Sequence, residues 1–478
     1  MTQNRTKMIL AVVLLLAGLA VVAAQAQTSG ATAVAPPAAA QATDSFHNPA
    51  PWLEMGADIR WRWVYGWNID TVRDRSEALS EWHFTRNRFR WWTKSKLDED
   101  IAFNTRMTWE FRTWENPERK PQHVDFDEVL FDNFNLSLKN MFDLPLTGVF
   151  GRQDIMLGKG WLVMDATPLD GSRTFFFDAA RFTYDWQETN TKIDMIYIDM
   201  AAQSDRWLKP FNDRDRLFTE QDEHGAILYL TNKSIPNTQI EGYFMYRNDN
   251  PVDSVEISSA VNPVNPAWIK KARLYTFGGA LDGKIDENWR YRAEGAYQFG
   301  EKSSPGDTTY DLHDLRAFGT KDQLDYDFND ERKNNLHAGY EFLTGDKQGT
   351  DDIEAFDPLW GEWPQWSEMY VYTYSLEGAI GETTNLQRIW FGHQFNICPK
   401  AQLSTDYHLL YADESVSGSR FSNDGSFRGH LLTAWLRWTF NKNLKGHLLA
   451  EYLWPGGFYA DNNRDDAYFL RINIEYTF

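Results

Sequence analysis

The sequence predicts an all-β protein: a single transmembrane antiparallel β-barrel of about 18 strands, of the outer-membrane type. Three observations lead to this fold class. The chain starts with a secretory signal. Apolar and polar residues then alternate with a period of two as far as the last residue. Finally, the connections between the alternating segments are short and long in turn, as in bacterial outer-membrane barrels.

Composition excludes several other classes. The chain has 478 residues, 15% of them aromatic, with 48 Lys plus Arg against 68 Asp plus Glu and a net charge of −20. Such an aromatic content requires burial and argues against a disordered chain. No apolar run of about 18 residues follows the first 25, which excludes a helical membrane protein. The acidic balance argues against nucleic acid as a partner, and the single Cys398 excludes a disulfide framework.

The N-terminal segment, residues 1–26, is predicted to be a signal peptide. Arg5 and Lys7 form a basic start, Met8–Ala24 is apolar or small, and Ala24-Gln25-Ala26 fits an A-x-A cleavage site. A retained membrane anchor is the alternative. Residues 27–51, rich in Ala, Thr and Pro, are predicted to be a flexible lead-in, and residues 52–478 the barrel.

The last twelve residues predict a strand with one apolar face. Tyr468, Leu470, Ile472, Ile474, Tyr476 and Phe478 share one parity, whereas Arg471, Asn473 and Glu475 share the other. Outer-membrane barrels commonly end in such a strand with a terminal Phe, which makes the barrel-assembly machinery an expected partner. A soluble β-sandwich strand shows the same alternation, so periodicity alone does not decide between the two.

The same pattern recurs upstream, and it leaves open which face is inside. In a soluble β-protein the apolar face points inward, whereas in a membrane barrel it faces lipid and the polar face lines the lumen. Aromatic girdles favour the barrel, because Trp recurs near predicted strand ends at Trp91, Trp186, Trp438 and Trp454.

The connections predict which end of the barrel each loop occupies. Glu301–Glu331 is predicted to be one long outer loop. With both termini in the periplasm, Gly345–Ser367 then falls on the periplasmic side, where turns are expected to be short. We therefore expect residues 345–367 to form a periplasmic plug or gate.

Four segments resemble the alginate-export family of outer-membrane porins, in the family's order. They are GRQDIMLGKG at Gly151–Gly160, TFFFDAARFTYDW at Thr174–Trp186, FDPLWGEWPQW at Phe356–Trp366 and HLLAEYLWPGGFY at His447–Tyr459. The resemblance spans Trp52 to Phe478. It implies an 18-stranded barrel with an Arg-rich, electropositive constriction that conducts an anionic polysaccharide such as alginate, and loops that restrict the pore.

Arginine at lumen parity is the chemistry that such transport requires. The planar guanidinium pairs with carboxylates through two hydrogen bonds and stays charged at any relevant pH. The predicted lumen set is Arg60, Arg62, Arg88, Arg90, Arg106, Arg112, Arg152, Arg181, Arg292, Arg388, Arg437 and Arg471. Arg152, in the GRQ segment, is the strongest single candidate. The alternative is that acids at the same parity neutralise these arginines: Glu110, Asp154, Asp185, Glu294, Glu451 and Glu475.

Other candidate sites are fewer. Trp360, Trp363 and Trp366 are candidates for stacking on sugar rings in the predicted plug. No cofactor is expected. Acidic runs predicted in outer loops, such as Asp322–Glu331 and Asp461–Asp466, are expected to be solvated surface. Ca²⁺ bound in these loops, or a divalent bridge to lipopolysaccharide and outer-membrane lipid, is the alternative.

The ten histidines form no HExxH motif, and the chain has no G-x-S-x-G elbow or P-loop, so no enzyme is predicted. Two alternatives to a polysaccharide channel remain. One is a general porin for small solutes, including small anions. The other, of a different class, is a soluble periplasmic carbohydrate-binding protein.

Overall fold

The structure is a computed structural model. It describes residues 46–70, 72–74, 80–116, 124–164, 176–212, 218–219, 221–252, 269–304, 307–361, 364–374, 383–416 and 422–478. The predicted signal peptide, most of the predicted lead-in and Trp363 lie outside the described residues.

Eighteen antiparallel strands close into one barrel, because β1 pairs with both β2 and β18. The strands are β1 (Leu53–Trp67), β2 (Glu81–Lys96), β3 (Ile101–Asn116), β4 (Val124–Leu138), β5 (Leu146–Gln153), β6 (Phe177–Trp186), β7 (Thr191–Met200), β8 (Asp222–Asn232), β9 (Thr238–Asn250), β10 (Ala272–Lys284), β11 (Trp289–Ser303), β12 (Leu312–Asp327), β13 (Asn335–Leu343), β14 (Leu386–Cys398), β15 (Ala401–Tyr411), β16 (Phe427–Thr439), β17 (Leu444–Pro455) and β18 (Ala467–Thr477). A short helix, α1 (Glu368–Tyr374), precedes β14.

The two faces of the barrel wall are apolar outside and polar inside. In β1 the side chains of Ile59 and Trp61 are 46% and 39% exposed, whereas Arg60 and Arg62 are each 1% exposed. The last strand repeats this arrangement, with Ile474 exposed and Asn473 buried. A soluble β-protein requires the reverse assignment, so the structure confirms a membrane-type barrel and the faces predicted for β18.

Connections alternate in length around the barrel, as predicted. At the end that holds both chain termini, called here the terminus end, the turns between strands have two to seven residues. At the opposite end, called the loop end, the connections have seven residues or more, and the one between β13 and β14 covers residues 344–385. Short turns mark the periplasmic end of such barrels. Within the described residues, no helix has the length and apolar character needed to cross a bilayer.

One strand was missed by sequence analysis, and the error changes the side of a loop. The predicted outer loop Glu301–Glu331 contains β12. The outward positions of β12 include Asp314, Arg316 and Asp322 beside Phe318, so the expected apolar alternation is broken. The additional strand reverses the direction of the chain, and residues 345–367 therefore lie at the loop end, not at the periplasmic terminus end as predicted.

Two connections from the loop end fold into the barrel. We call residues 154–164 the inner loop, and residues 344–361 and 364–374 the strap. They meet where Val163 forms a parallel bridge with Trp360, and the strap also bridges to the wall between Ile353 and Leu315. Their apolar side chains join inward residues of the wall in one buried cluster. The lumen is therefore crossed by chain rather than open along its whole section.

Candidate functional site

The strands β1, β2 and β3 carry a contiguous group of lumen-facing arginines, called here the arginine wall. Alternate positions of each strand point inward, and the register sets them side by side. Arg62 is opposite Arg86, which is opposite Arg112, and in the next row Arg60 is opposite Arg88. The arginine wall consists of Arg60, Arg62, Arg86, Arg88, Arg90 and Arg112. Five of these six arginines, all except Arg86, belong to the predicted lumen set.

Acidic partners hold most of the arginine wall. Glu110 accepts hydrogen bonds from Arg60 and Arg86, each at 2.7 Å. Asp58 accepts from Arg90 at 2.8 Å and lies 3.4 Å from Arg88. Buried ion pairs of this kind are costly to break because they leave a charge without compensation. The arginine wall is therefore a fixed network and not a ring of free cations.

The strap covers this network at the loop end. Arg471 on β18 pairs with Glu368 of α1 at 2.9 Å. Glu451 on β17 accepts hydrogen bonds from the Ser367 hydroxyl at 2.6 Å and from the backbone N–H of Glu368 and Met369 at 2.9 and 3.0 Å. Strands β17 and β18 thus fix one end of the strap against the wall.

The other end of the strap is fixed by a buried charge cluster on β9 to β11. The Asp357 carboxylate lies 2.7 Å from Lys302, 3.4 Å from Lys270 and 3.8 Å from Arg247. Burial by itself would raise the pKa of Asp357, but these three cations together hold that pKa well below its usual range. The charged form is the stable one, so the anchor persists at neutral pH.

A water-accessible cavity of about 800 Å³, called here the vestibule, opens at the terminus end. It lies against residues near the ends of β2, β4, β17 and β18 at that end, including Lys94, Ser137, Lys445 and Thr477. Its charged lining is Arg90, Lys94, Arg106, Arg181 and Lys445 with Asp58, Asp154 and Glu475. The amide side chains of Asn104, Asn133, Asn135 and Gln153 line it as well.

This lining suits a hydroxylated anion. Guanidinium groups bind carboxylates, and amides both donate to and accept from hydroxyl groups. Each of the three vestibule arginines already has an acid: Arg90 has Asp58, Arg106 has Asp132 and Asp154, and Arg181 has Asp194. A ligand carboxylate would exchange with these groups, which makes binding weak and reversible.

The structure distributes the other predicted arginines over the lumen wall. Arg292 pairs with Glu241, Asp282 and Glu294. Arg388 pairs with Glu341 at 2.8 Å and stacks on Trp366 and Trp390. Arg437 and Arg471 stack on Trp435. These groups face inward as predicted, but the structure does not bring them together in one constriction.

Arg152, the strongest sequence candidate, does not face the lumen. It lies opposite Phe134 on β4 and Asp178 on β6. Asp178 shares the outward face of β6 with Ala180, whose partner Tyr197 is 54% exposed. Arg152 is nevertheless only 1% exposed, because Phe176, Trp207 and Phe218 cover it. The prediction of a pore-lining Arg152 is therefore corrected.

The tryptophans of the strap have structural contacts instead of an open stacking surface. Trp360 is 1% exposed, packs against Gly225, and donates its indole N–H to Glu223 at 3.1 Å. Trp366 is half-buried between Tyr370, His408 and Arg388. Sugar stacking on Trp360 is therefore excluded in this arrangement, and Trp363 lies outside the described residues.

The amide lining and two lysines, Lys94 and Lys445, were not predicted from the sequence. The polar lining on β4 could have been predicted, because Asn133, Asn135 and Ser137 alternate along that strand and therefore share one face. In the part of the chain that the structure describes, no group of three or more His, Cys, Asp or Glu side chains is arranged to hold a metal ion. Asp325 and Asp327, predicted in an outer loop, lie at the terminus end of β12 and pair with Arg290.

Comparisons with known proteins agree with this architecture. The family described as Alginate export matches residues 51–472. OccAB2 of Acinetobacter baumannii has a TM-score of 0.56 at 10% identity, covering 89% of this chain and 98% of its own. OccK5 (OpdH) of Pseudomonas aeruginosa gives 0.52 at 12% identity, with coverages of 88% and 97%. A BenF-like porin from Pseudomonas fluorescens Pf-5 gives 0.53 at 11%, with coverages of 89% and 99%. These likenesses show the fold alone. No curated protein sequence matches the chain.

Proposed function

The chain belongs to the alginate export family and is an outer-membrane channel of a Gram-negative bacterium, and we propose that it passes an anionic polysaccharide such as alginate. The observation that carries this proposal is the vestibule. Three arginines and two lysines line it together with four amide side chains. That combination matches a polymer whose units bear both carboxylates and hydroxyls.

The ion pairs in the vestibule support passage instead of tight binding. Arg90 lies on β2, Arg106 on β3 and Arg181 on β6, and each is partly accessible to water. Transport requires several weak sites, so that a polymer enters and still leaves. Exchange of a ligand carboxylate with Asp58, Asp154 or Asp194 provides such sites, and no step of this transport calls for an enzyme or a cofactor.

A general porin for small solutes is the second candidate. It is favoured by the strap and the inner loop, which cross the lumen and leave less room for a polymer. The soluble carbohydrate-binding alternative requires the apolar face inside, and the observed faces exclude it. The two channel functions differ in one measurable property: whether a uronate oligomer blocks the current more strongly than a small anion does.

The test is a planar-bilayer measurement on the Arg90→Gln, Arg181→Gln double variant. Both substitutions remove vestibule cations without touching the strap anchors. We expect a lower anion-to-cation permeability ratio and weaker block by uronate oligomers than in the parent channel. Arg290→Gln is the control, because Arg290 is a lumen arginine at the same end that does not line the vestibule. An equal loss in both proteins would contradict the assignment to the vestibule.

A further inference from the structure

The turn that leads from β5 into the lumen is held from both sides of the barrel wall. At Gly151 the backbone has φ +116°, and a Cβ there would lie 2.4 Å from the carbonyl oxygen of Phe134. Only glycine adopts this conformation without strain. The next residues then point alternately outward and inward, at Arg152 and Gln153, before the inner loop begins at Asp154.

On the outer side, Arg152 holds the turn rigidly. Its Nε and Nη2 donate to the two carboxylate oxygens of Asp178, each at 2.9 Å. Its Nη1 donates to the carbonyl of Phe131 at 2.9 Å, and the Phe176 ring centroid lies 3.7 Å from the guanidinium carbon. Bidentate geometry with a third hydrogen bond fixes the end of β5 against β4 and β6.

On the inner side, Asp154 holds the turn to the vestibule. Its two carboxylate oxygens accept from Nη1 and Nη2 of Arg106 at 2.8 and 2.7 Å, while Asp132 accepts from Nε of Arg106 at 2.8 Å. The Asp154 side chain is 27% exposed, and Asp154 and Arg106 both line the vestibule. The first residue of the inner loop therefore lies where a ligand would meet Arg106.

From Asp154 the inner loop reaches the strap. Leu157 donates its backbone N–H to the carbonyl of Val163 at 3.1 Å, which closes the loop on itself. Val163 bridges to Trp360, and the Gln365 side chain donates to the carbonyl of Gly160 at 2.8 Å. The inner loop thus runs from the carboxylate site of Arg106 to the strap.

We propose that Asp154 is a positioning residue of the channel that occupies the carboxylate site of Arg106 and releases the inner loop when an anionic ligand takes its place. This inference rests on the proposed function. The Nη1–Nη2 edge of Arg106 binds one carboxylate in the bidentate manner, so Asp154 and a ligand carboxylate compete for the same two donors. Because binding and loop release share these donors, each favours the other by the same free energy.

The exchange is local because the outer side of the turn does not move. Arg152 and Asp178 hold the end of β5, and Ile155 and Leu157 stay packed in the buried cluster, so loss of the Asp154 contact loosens the entry of the inner loop and leaves the barrel wall paired. The ligand carboxylate then pairs with Arg106, and the lumen becomes wider next to that pair. A carboxylated polymer would open its own path, whereas a neutral saccharide would leave the inner loop in place.

The experiment compares Asp154→Asn with Glu475→Gln in a planar bilayer, with glucuronate oligomers as the probe. Both substitutions remove one negative charge from the vestibule, but Glu475 is on β18 and holds no loop. We expect both to become more anion-selective. Only Asp154→Asn should show a larger open-state conductance with frequent current fluctuations. The oligomer should also block Asp154→Asn about fivefold more tightly, because it no longer has to displace one partly exposed bidentate ion pair. Asp154→Glu, which keeps the carboxylate, should return the fluctuations toward the parent level.

Equal conductance, fluctuations and block in Asp154→Asn and Glu475→Gln would overturn the inference, since charge alone would then explain the effect. Failure of the proposed function has a different signature, because the parent channel would then prefer cations and glucuronate oligomers would not block it. Heat-modifiable gel mobility shows that each variant forms a folded barrel, so a change in current reports on the lumen.

Discussion

The orientation of the wall is tested by placing a charge on each face. Ile472 lies at the middle of β18 on the lipid face, opposite Leu448 of β17 and Trp63 of β1. Ile472→Arg puts a guanidinium at the bilayer midplane, for which the cost is about 2–4 kcal/mol. At about 1.4 kcal/mol per factor of ten, the folding equilibrium constant should fall by about 30- to 700-fold. Urea unfolding in lipid vesicles, followed by tryptophan fluorescence, measures this change.

The control is a lumen residue with space and polar neighbours. Asn473, adjacent in sequence, is unsuitable because it accepts a hydrogen bond from Arg62 at 3.0 Å and lies against the arginine wall. Asn133→Arg is the better comparison, since Asn133 lines the vestibule. We expect Asn133→Arg to leave the free energy of unfolding nearly unchanged. Equal destabilisation by Ile472→Arg and Asn133→Arg would refute the assignment of the two faces.

Three further predictions concern the strap and the C-terminus. Asp357→Asn removes the carboxylate shared by three cations, so the strap should become accessible to protease in intact vesicles while the barrel persists; an unchanged digestion pattern would contradict the anchor. Because the pKa of Asp357 is lowered on folding, the stabilisation that its carboxylate gives the strap is complete above about pH 4 and is lost only as the pH falls further. The parent strap should therefore stay protected from protease at pH 5. Phe478 donates its backbone N–H to the carbonyl of Ala57 at 2.9 Å. Deletion of Phe478 should lower the amount of assembled barrel on immunoblots of outer membranes. Normal amounts would show that the terminal Phe is not needed for assembly.

The faces of the wall could be predicted where alternation is regular. In β1, β2 and β18 each arginine at lumen parity faces inward, because strand side chains point to opposite faces in turn. Arg152 follows the same alternation, but on the other face: it shares the parity of Phe150, and the unbroken register of β5 places both residues outward. Its assignment to the lumen depended on the GRQ segment and not on the pattern of β5.

The loops could not be placed from the sequence for a different reason. The number of strands fixes the side of every later loop, and β12 was concealed because charged residues occupy part of its outward face. The inward course of the strap depends on contacts between residues far apart in the chain, such as Trp360 with Glu223 and Asp357 with Lys302. The type of Trp360 suggested sugar stacking, whereas its hydrogen bond to Glu223 makes it part of the strap anchor.

The measurement that tests the central claim most directly is the reversal potential of the parent channel in a salt gradient, followed by block with glucuronate oligomers and with neutral oligosaccharides of equal length. The vestibule predicts preference for anions and stronger block by the uronate. Preference for cations, or equal block by both oligomers, would show that the acidic partners of Arg90, Arg106 and Arg181 cancel their charge, and the proposal of polysaccharide passage would then fail.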